Sequence, residues 1–326
     1  MILRRRDGRN LDRRVADLQG EAAGIEPGAA ASLVHVSEPA ASPVDTYYDV
    51  PVVKPAPWQW YVPAYFYAGG LAGAAATLAA AAELGGRHLL ARRLHAIAVV
   101  GEAAGAVCLI ADLGRPARFH YMMRVFRPTS PMNLGTWILS AASAASGLAL
   151  LGGLRGRRRL GAASCASAIT GAMLSTYTAV LIGNTAIPVW RAARVVLPGW
   201  FAAASTASLA SLVELIGTAP QLPRGYVTVA KTAALVGSIA VARAARRAGV
   251  ARPLHQGRSG GRWRGAMWLG LASLAATLLG RTRVAGALGT AAAVAARFAI
   301  VDAGRASAAD PRATFAPQRA RAAHAR

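Results

Sequence analysis

Apolar stretches of about 20 residues, each closed by a short polar or arginine-bearing connection, repeat along most of this chain. A helix needs about that length to cross a bilayer, so the pattern predicts an all-α integral membrane protein. Eight transmembrane helices are expected, near residues 61–82, 94–113, 134–154, 162–187, 196–218, 226–242, 265–280 and 284–301, the last two being short. They are rich in Ala, Gly and Ser, which lets helices approach closely, and Gly69, Gly70 and Gly73 give the first span one such face. Around this 61–301 membrane domain lie a polar, disordered tail over 1–45 and an extended proline-rich surface segment over 46–60. A second polar tail covers 302–326. Residues 11–18 suit one short amphipathic helix. No apolar run follows Arg4, Arg5 and Arg6, so the first residues read as neither a Sec nor a twin-arginine signal. Trp58, Trp60 and Tyr61 suit an interfacial aromatic belt.

An even number of spans puts both termini on one side. That side also receives the connections over 115–127, 191–194 and 243–264, and it carries roughly twice as many arginines as the other. The excess predicts a multi-pass protein of the cell membrane (inner or plasma) with cytoplasmic termini, although the Arg155–Arg159 cluster on the opposite side argues against this orientation.

Composition narrows the function. Charged residues make up 16% of the 326, well below the roughly 25% of a soluble domain, which excludes a soluble protein with a large core. A net charge of +23 invites a nucleic-acid reading, but the arginines are scattered between apolar spans with no contiguous basic face. Anchoring at anionic membrane lipid accounts for them better, and no nucleic-acid partner is expected. Cys108 and Cys165 are too few for an iron–sulfur cluster or a cysteine-built zinc site, and both read as small buried hydrophobes. Of six histidines only His95 touches a span, at its mouth, whereas a b-type haem needs paired histidines deep in a bundle. No haem and no metal bound by this chain are expected.

The polar residues gather at one membrane level. Tyr61, Tyr65 and Tyr67 lie in the first two turns of the first span. Asp112 and Arg115 close the second, where Pro116 stops the helix. Ser130, Asn133 and Thr136 open the third, and Asn184 and the deeper Tyr177 lie near the end of the fourth. Charges at a lipid boundary are costly and usually serve a site. Phenols and amides at the edge of an apolar cavity suit a quinone, whose ring is apolar and whose carbonyls accept hydrogen bonds. Asp112 is then placed to pass the protons that quinone chemistry requires. The plainer alternative is that the tyrosines are belt residues and that Asp112 caps loop amides or pairs with Arg115.

Three other charges fall inside spans. Glu102 lies mid-helix, where it is neutral, paired or part of a proton path. Glu214 and Lys231 are about equally far from the turn at 218–225 and are expected to pair, as an ion pair fixing helix register or as a route for protons. Arg297 is expected to snorkel to the face that carries the termini. A bundle with a quinone-like cavity and no redox centre of its own requires a partner to bring electrons. The rival readings are a proton- or ion-translocating transporter or channel, and a purely structural anchor; no pair of broken helices in matching halves supports the transporter.

Several stretches in order resemble the NrfD/PsrC family of polysulfide reductase-like membrane subunits. They are Trp-Tyr-Val-Pro-Ala-Tyr-Phe-Tyr-Ala-Gly-Gly-Leu-Ala-Gly at 60–73, Asp-Leu-Gly-Arg-Pro at 112–116, and Arg-Pro-Thr-Ser-Pro-Met with Gly-Thr-Trp at 127–137. Thr-Tyr-Thr-Ala-Val-Leu-Ile at 176–182, Asn-Thr-Ala-Ile-Pro-Val-Trp at 184–190, and Ser-Ala-Ala-Asp-Pro with Pro-Gln-Arg at 307–319 follow. The resemblance implies a haem-free bundle that binds a quinone, menaquinone or ubiquinone, near one membrane face. It implies a docked four-cluster iron–sulfur subunit that links the bundle to a molybdopterin catalytic subunit, so that this chain is not catalytic alone. It also implies that Asp112 and Arg115 belong to the quinone or docking corner, that Tyr177 is a quinone ligand and that the aromatic start of the first span is a wall. The best-known members serve partners outside the cytoplasm in anaerobic respiration. The arginine distribution here points instead to a cytoplasmic docking face, and because similar subunits serve formate dehydrogenase-like partners on that side, the resemblance then implies a partner of that kind.

Overall fold

A computed structural model describes residues 51, 53–156, 161–223 and 225–315. The expected tail over 1–45, its amphipathic segment and the end of the C-terminal tail lie outside the described residues. Within them the chain is helical, with ten α-helices and two 3-10 segments and no strand. The long helices are α1 (Tyr61–Leu84), α2 (His88–Asp112), α3 (Pro131–Leu154), α4 (Ala162–Gly183), α6 (Leu197–Leu215), α7 (Tyr226–Arg247), α9 (Gly257–Leu278) and α10 (Thr282–Ala308). Two short ones, α5 (Pro188–Ala193) and α8 (Arg252–His255), lie in connections. Six of the long helices, α1–α4, α7 and α10, are long and apolar enough to cross a membrane. Both α6, whose Pro, Gly, Thr and Ser residues lower its hydropathy, and α9, which carries Arg258, Arg262 and Arg264, fall short of that mark but pack in the same bundle.

Tight turns make consecutive helices antiparallel. Gly86 adopts φ +71°, a conformation that glycine reaches without strain, and the Arg87 N–H then returns to the Ala82 carbonyl at 2.8 Å. Gly280, at φ +72°, closes the α9–α10 turn in the same way, with the Arg281 N–H on the Ala276 carbonyl at 2.9 Å. One face of the bundle, called here the near face, therefore holds the start of α1, the end of α2 and the end of α10. Contacts remote in sequence confirm the assignment: Arg305 donates to the Ala56 carbonyl at 3.3 Å on the near face, and Arg87 to the Gln221 carbonyl at 3.0 Å on the far face.

Glycine sets how closely the helices meet. A side chain at Gly73 of α1 would strike the Gly171 carbonyl of α4, so these backbones are in direct contact. A row of rings fills the near-face half: Trp58 stacks on Trp190 at 5.4 Å and meets Phe66 edge-on at 6.1 Å, and Phe66 meets Phe201 at 5.8 Å.

Six expectations change. The second helix begins at His88 rather than near 94, because Leu90, Ala91 and Leu94 bury one face of its first turns while Arg92 and Arg93 stay exposed on the other. His95 is therefore two turns inside the bundle and buried, not at a mouth. The fourth helix stops at Gly183 rather than 187, since Pro188 holds Ile187 extended (φ −64°, ψ 121°) and starts α5. The last two long helices span 22 and 27 residues and are not short. Arg297 does not snorkel: it is 1% exposed, donates to the Phe201 carbonyl at 3.2 Å and Ser205 at 3.1 Å, and lies 4.1 Å over the Phe201 ring. A ring face, a hydroxyl and a backbone carbonyl on α6 are nearer than water. Cys165 is exposed on the outer side of α4 rather than buried, and Cys108 is half-buried.

Candidate functional site

A cavity of about 340 Å³ opens at the near face between α1, α2, α3 and α4. That falls within the 300–1,000 Å³ typical of small-molecule sites. Its walls are mostly apolar: Val62 and Phe66 from α1, Ala106 and Leu109 from α2, Leu139 from α3 and Leu181 from α4. Asp112, Thr136, Ser140 and Ser143 add polar groups, and Tyr65 and Tyr177 face each other across it.

The two tyrosines are the centre of the site. Their hydroxyls are hydrogen-bonded to one another, from helices α1 and α4. Each phenol carries one donor hydrogen, so a bonded pair uses one and leaves the other free for a ligand acceptor. Glycine makes room for both rings. A Cβ at Gly135 of α3 would sit 2.7 Å from the Tyr177 hydroxyl, and Cβ atoms at Gly105 and Gly69 would come within 3.0 and 3.1 Å of the Tyr65 ring. The contact at Gly135 is closer than real Cβ atoms come, and those at Gly105 and Gly69 are tight enough that the Tyr65 ring would have to give way by a few tenths of an ångström, so larger side chains there would shift the rings.

The mouth is built by the α2–α3 connection. Leu113 is extended (ψ 127°), and Pro116 opens a 3-10 segment over Pro116–Met123. That segment lays Phe119, Met122 and Met123 over the cavity. Asn133, in the first turn of α3, ties the connection down. Its amide nitrogen donates to the Met122 carbonyl at 3.0 Å and the Val125 carbonyl at 2.9 Å, and its oxygen accepts from the Arg127 N–H at 2.7 Å. Ser130 caps α3 by accepting from the Asn133 N–H at 3.5 Å. Asp112 stands at the rim and accepts the Gln59 N–H at 3.3 Å. Among the described residues it forms no ion pair with Arg115, which is exposed.

The expected site residues therefore divide. Tyr65, Tyr177 and Asp112 come together on one cavity. Tyr61 is half-buried at the rim beside Trp60, with ring centroids 4.2 Å apart, and Tyr67 faces Thr290 on α10. Asn184 is exposed at the end of α4, and Ser130 serves as a helix cap. Gly135, Ser140 and Ser143, which shape or line the cavity, were not among the expected residues. The Thr136, Ser140, Ser143 spacing, one hydroxyl per turn of α3, is a signal that could have found the last two.

Elsewhere, Glu102 is fully buried and accepts a hydrogen bond from Ser146 at 2.9 Å. Lys231 is buried and bonded to Glu214. It also donates to Thr277 at 2.8 Å and to the Ala285 carbonyl at 3.4 Å, and Thr277 donates back to Glu214 at 2.9 Å. Among the described residues no group of three or more His, Cys, Asp or Glu side chains is arranged to hold a metal.

A sequence model of the NrfD-type polysulfide reductases matches residues 44–309, most of the chain and all of the site. The chain belongs to this polysulfide reductase family. No curated protein matches it. As an NrfD-type subunit it is a multi-pass membrane protein with a membrane-anchoring role in an oxidoreductase complex. The cavity, with its paired phenols and acidic rim, lies wholly inside the matched region of this NrfD-type chain.

Proposed function

We propose that this NrfD-type chain is the quinone-reactive subunit of its complex, exchanging electrons between a docked iron–sulfur subunit and the membrane quinone pool. The observation that carries the reading is the cavity itself: apolar walls wide enough for a substituted ring, and one unspent phenol hydrogen on the Tyr65–Tyr177 pair to meet a quinone carbonyl. Quinone, of the menaquinone or ubiquinone type, is a substrate that enters from lipid; it supplies the two-electron chemistry. Tyr65 and Tyr177 hold and orient one carbonyl, the walls exclude water, and Asp112 handles a proton at the rim. Arg115, exposed beside that rim, belongs to the docking side and supplies positive charge there.

The partners in this reading are a four-cluster iron–sulfur subunit and, through it, a molybdopterin catalytic subunit, as in other complexes of this type. Among the described residues the near face carries Arg115, Arg118, Arg124, Arg127, Arg191, Arg194, Arg243, Arg246, Arg247, Arg252, Arg258, Arg262, Arg264 and Arg305, against Arg87, Arg92, Arg93, Arg155, Arg281 and Arg283 at the far face, where the sequence also places the rest of the Arg155–Arg159 cluster. By the positive-inside rule the near face is cytoplasmic, and the partners sit there. The bonding of Lys231 with Glu214 and Thr277 favours an ion pair that fixes helix register over a transporter's ion site, because both Glu214 oxygens are already engaged by neighbouring side chains.

Equilibrium binding of a labelled quinone to the complex in nanodiscs tests the reading. Saturable binding is expected, and Tyr177→Phe is expected to weaken it about tenfold, the worth of one hydrogen bond of about 1–1.5 kcal/mol. Absence of saturable binding, or full affinity in a double Tyr65→Phe, Tyr177→Phe variant, would overturn it.

A further inference from the structure

Two cavities lie end to end along the α2–α3 interface, and Glu102 sits between them. The near-face cavity takes Ala106 to Leu113 from α2 and Met132 to Ser143 from α3. A second cavity, of about 240 Å³, lies at the far face and takes His88 to His95 from α2 and Ala149 to Gly156 from α3, with Glu83 from α1. Only the stretch that holds Glu102 on α2 and Ser146 on α3 separates them. At a rise of 1.5 Å per residue, Glu102 stands about 10 Å from the level of His95 and about 6 Å from that of Ala106.

The separating layer is polar where a membrane interior is ordinarily apolar. His88, His95 and Glu102 recur every seventh residue and so share one stripe of α2. Ser146 donates to Glu102 at 2.9 Å and bonds Ser167 of α4 at 2.9 Å. Ser164, one turn from Ser167 toward the far face, is also buried. On the other side Ser143, one turn from Ser146, lines the near-face cavity. Three buried groups are left short of partners. Glu102 keeps one carboxylate oxygen unbonded, His95 has Nδ1 unbonded, and His95 Nε2 stands 3.3 Å from Glu83, whose second oxygen is also unbonded. Groups of this kind, beside a polar cavity of that size, bind water. Ala98, Ala145 and Ala149, all buried, keep the side chains between His95 and Glu102 small.

We propose that this line is a proton route from the far face, through Glu102, to the inner end of the near-face cavity. The inference rests on the quinone reading above and adds to it the side from which protons come. Reduction of one quinone to quinol consumes two electrons, delivered by the docked iron–sulfur protein, and two protons. Asp112 passes one proton at the rim. Glu102, as the neutral acid, gives the other: its O–H breaks, the Ser143 hydroxyl accepts a proton while releasing its own, and one quinol O–H forms. The Glu102 carboxylate then regains a proton from the far-face cavity through Ser146 and Ser167 or through water at His95 and Glu83. In the oxidising direction the same steps run backwards. His88 and Arg92 also line the far-face cavity. Electrons enter from the near face and half of the protons from the far face, so turnover moves charge across the membrane.

The test uses the native complex in liposomes, partner side out, with a pH dye trapped inside and an impermeant low-potential viologen as electron donor outside. Wild type is expected to take one proton from the lumen for each quinone reduced. Glu102→Gln, which keeps the bond from Ser146, is expected to abolish lumenal uptake and to slow turnover at least tenfold, and Glu102→Asp to restore part of both. Ser146→Ala is expected to reduce lumenal uptake several-fold. Turnover in wild type with protons drawn only from the outside would overturn the route while leaving the quinone reading standing, as would unchanged lumenal uptake in Glu102→Gln. No quinone turnover in wild type would remove the quinone reading and the route with it.

Discussion

Asp112→Asn is expected to lower quinone turnover about 100-fold or more while the subunit still assembles with its partners. The geometry separates the two roles open to this residue. As a cap, Asp112 accepts the Gln59 N–H at 3.3 Å, and an asparagine oxygen at the same position accepts it equally well. As a proton carrier at the cavity rim, it needs a carboxyl group that can gain and lose a proton, and an amide cannot do so. Purification of the variant complex, followed by a quinone reduction assay at several pH values, distinguishes them. Loss of turnover with intact assembly, and partial recovery in Asp112→Glu, fits the carrier. Turnover within twofold of wild type would reduce Asp112 to a cap on the segment that enters α1.

Glu214→Gln is expected to destabilise the bundle by about 3–5 kcal/mol, the usual cost of breaking a buried ion pair by removing one partner. Lys231 is 4% exposed and Glu214 1%, so neither charge reaches water. In the variant the ammonium keeps only neutral acceptors, Thr277 at 2.8 Å and the Ala285 carbonyl at 3.4 Å. Replacing both charges, as Glu214→Gln with Lys231→Met, removes the unpaired charge and is expected to bring stability back to within about 1–2 kcal/mol of wild type. Equilibrium unfolding in mixed micelles, monitored by circular dichroism and run also on Lys231→Met alone, measures the three differences from wild type and gives the coupling. A single variant as stable as wild type would mean that Lys231 is neutral in the bundle and that no ion pair fixes the α6–α7 register.

The span pattern was legible because a membrane helix announces itself by length and hydropathy alone. Boundaries were less so. The early start of α2 depends on an amphipathic first turn whose Arg92 and Arg93 lower the local hydropathy, and the stop of α4 depends on Pro188, five residues past the last helical one. Asp112, Tyr65 and Tyr177, which line the cavity, were legible as candidates because polar groups near the end of an apolar span stand out. Tyr61, Tyr67 and Asn184 stand out in the same way yet do not line the cavity. Tyr65 and Tyr67 are two residues apart on one helix, about 200° around its axis, so only one can face a given neighbour. Which one does so is set by the packing of α1 against α2 and α4.

By itself the sequence determined the class of molecule. Its apolar spans, short loops and arginine placement leave only a helical membrane bundle, and its motifs name the family. These are local properties, read from consecutive residues, and they hold whatever the helices do to one another. Tertiary structure alone decided what the bundle encloses. It put the Tyr65 and Tyr177 hydroxyls together across 112 positions of chain, set Gly135 against the Tyr177 ring, and folded Asn133 back on Met122 and Val125. It also drew Arg297 inward to the Phe201 ring instead of outward to water, and placed Glu102 between two cavities. Each of these depends on the rotation and depth of one helix relative to another. Those are set by close packing of small residues on several helices at once, which no single stretch of sequence contains.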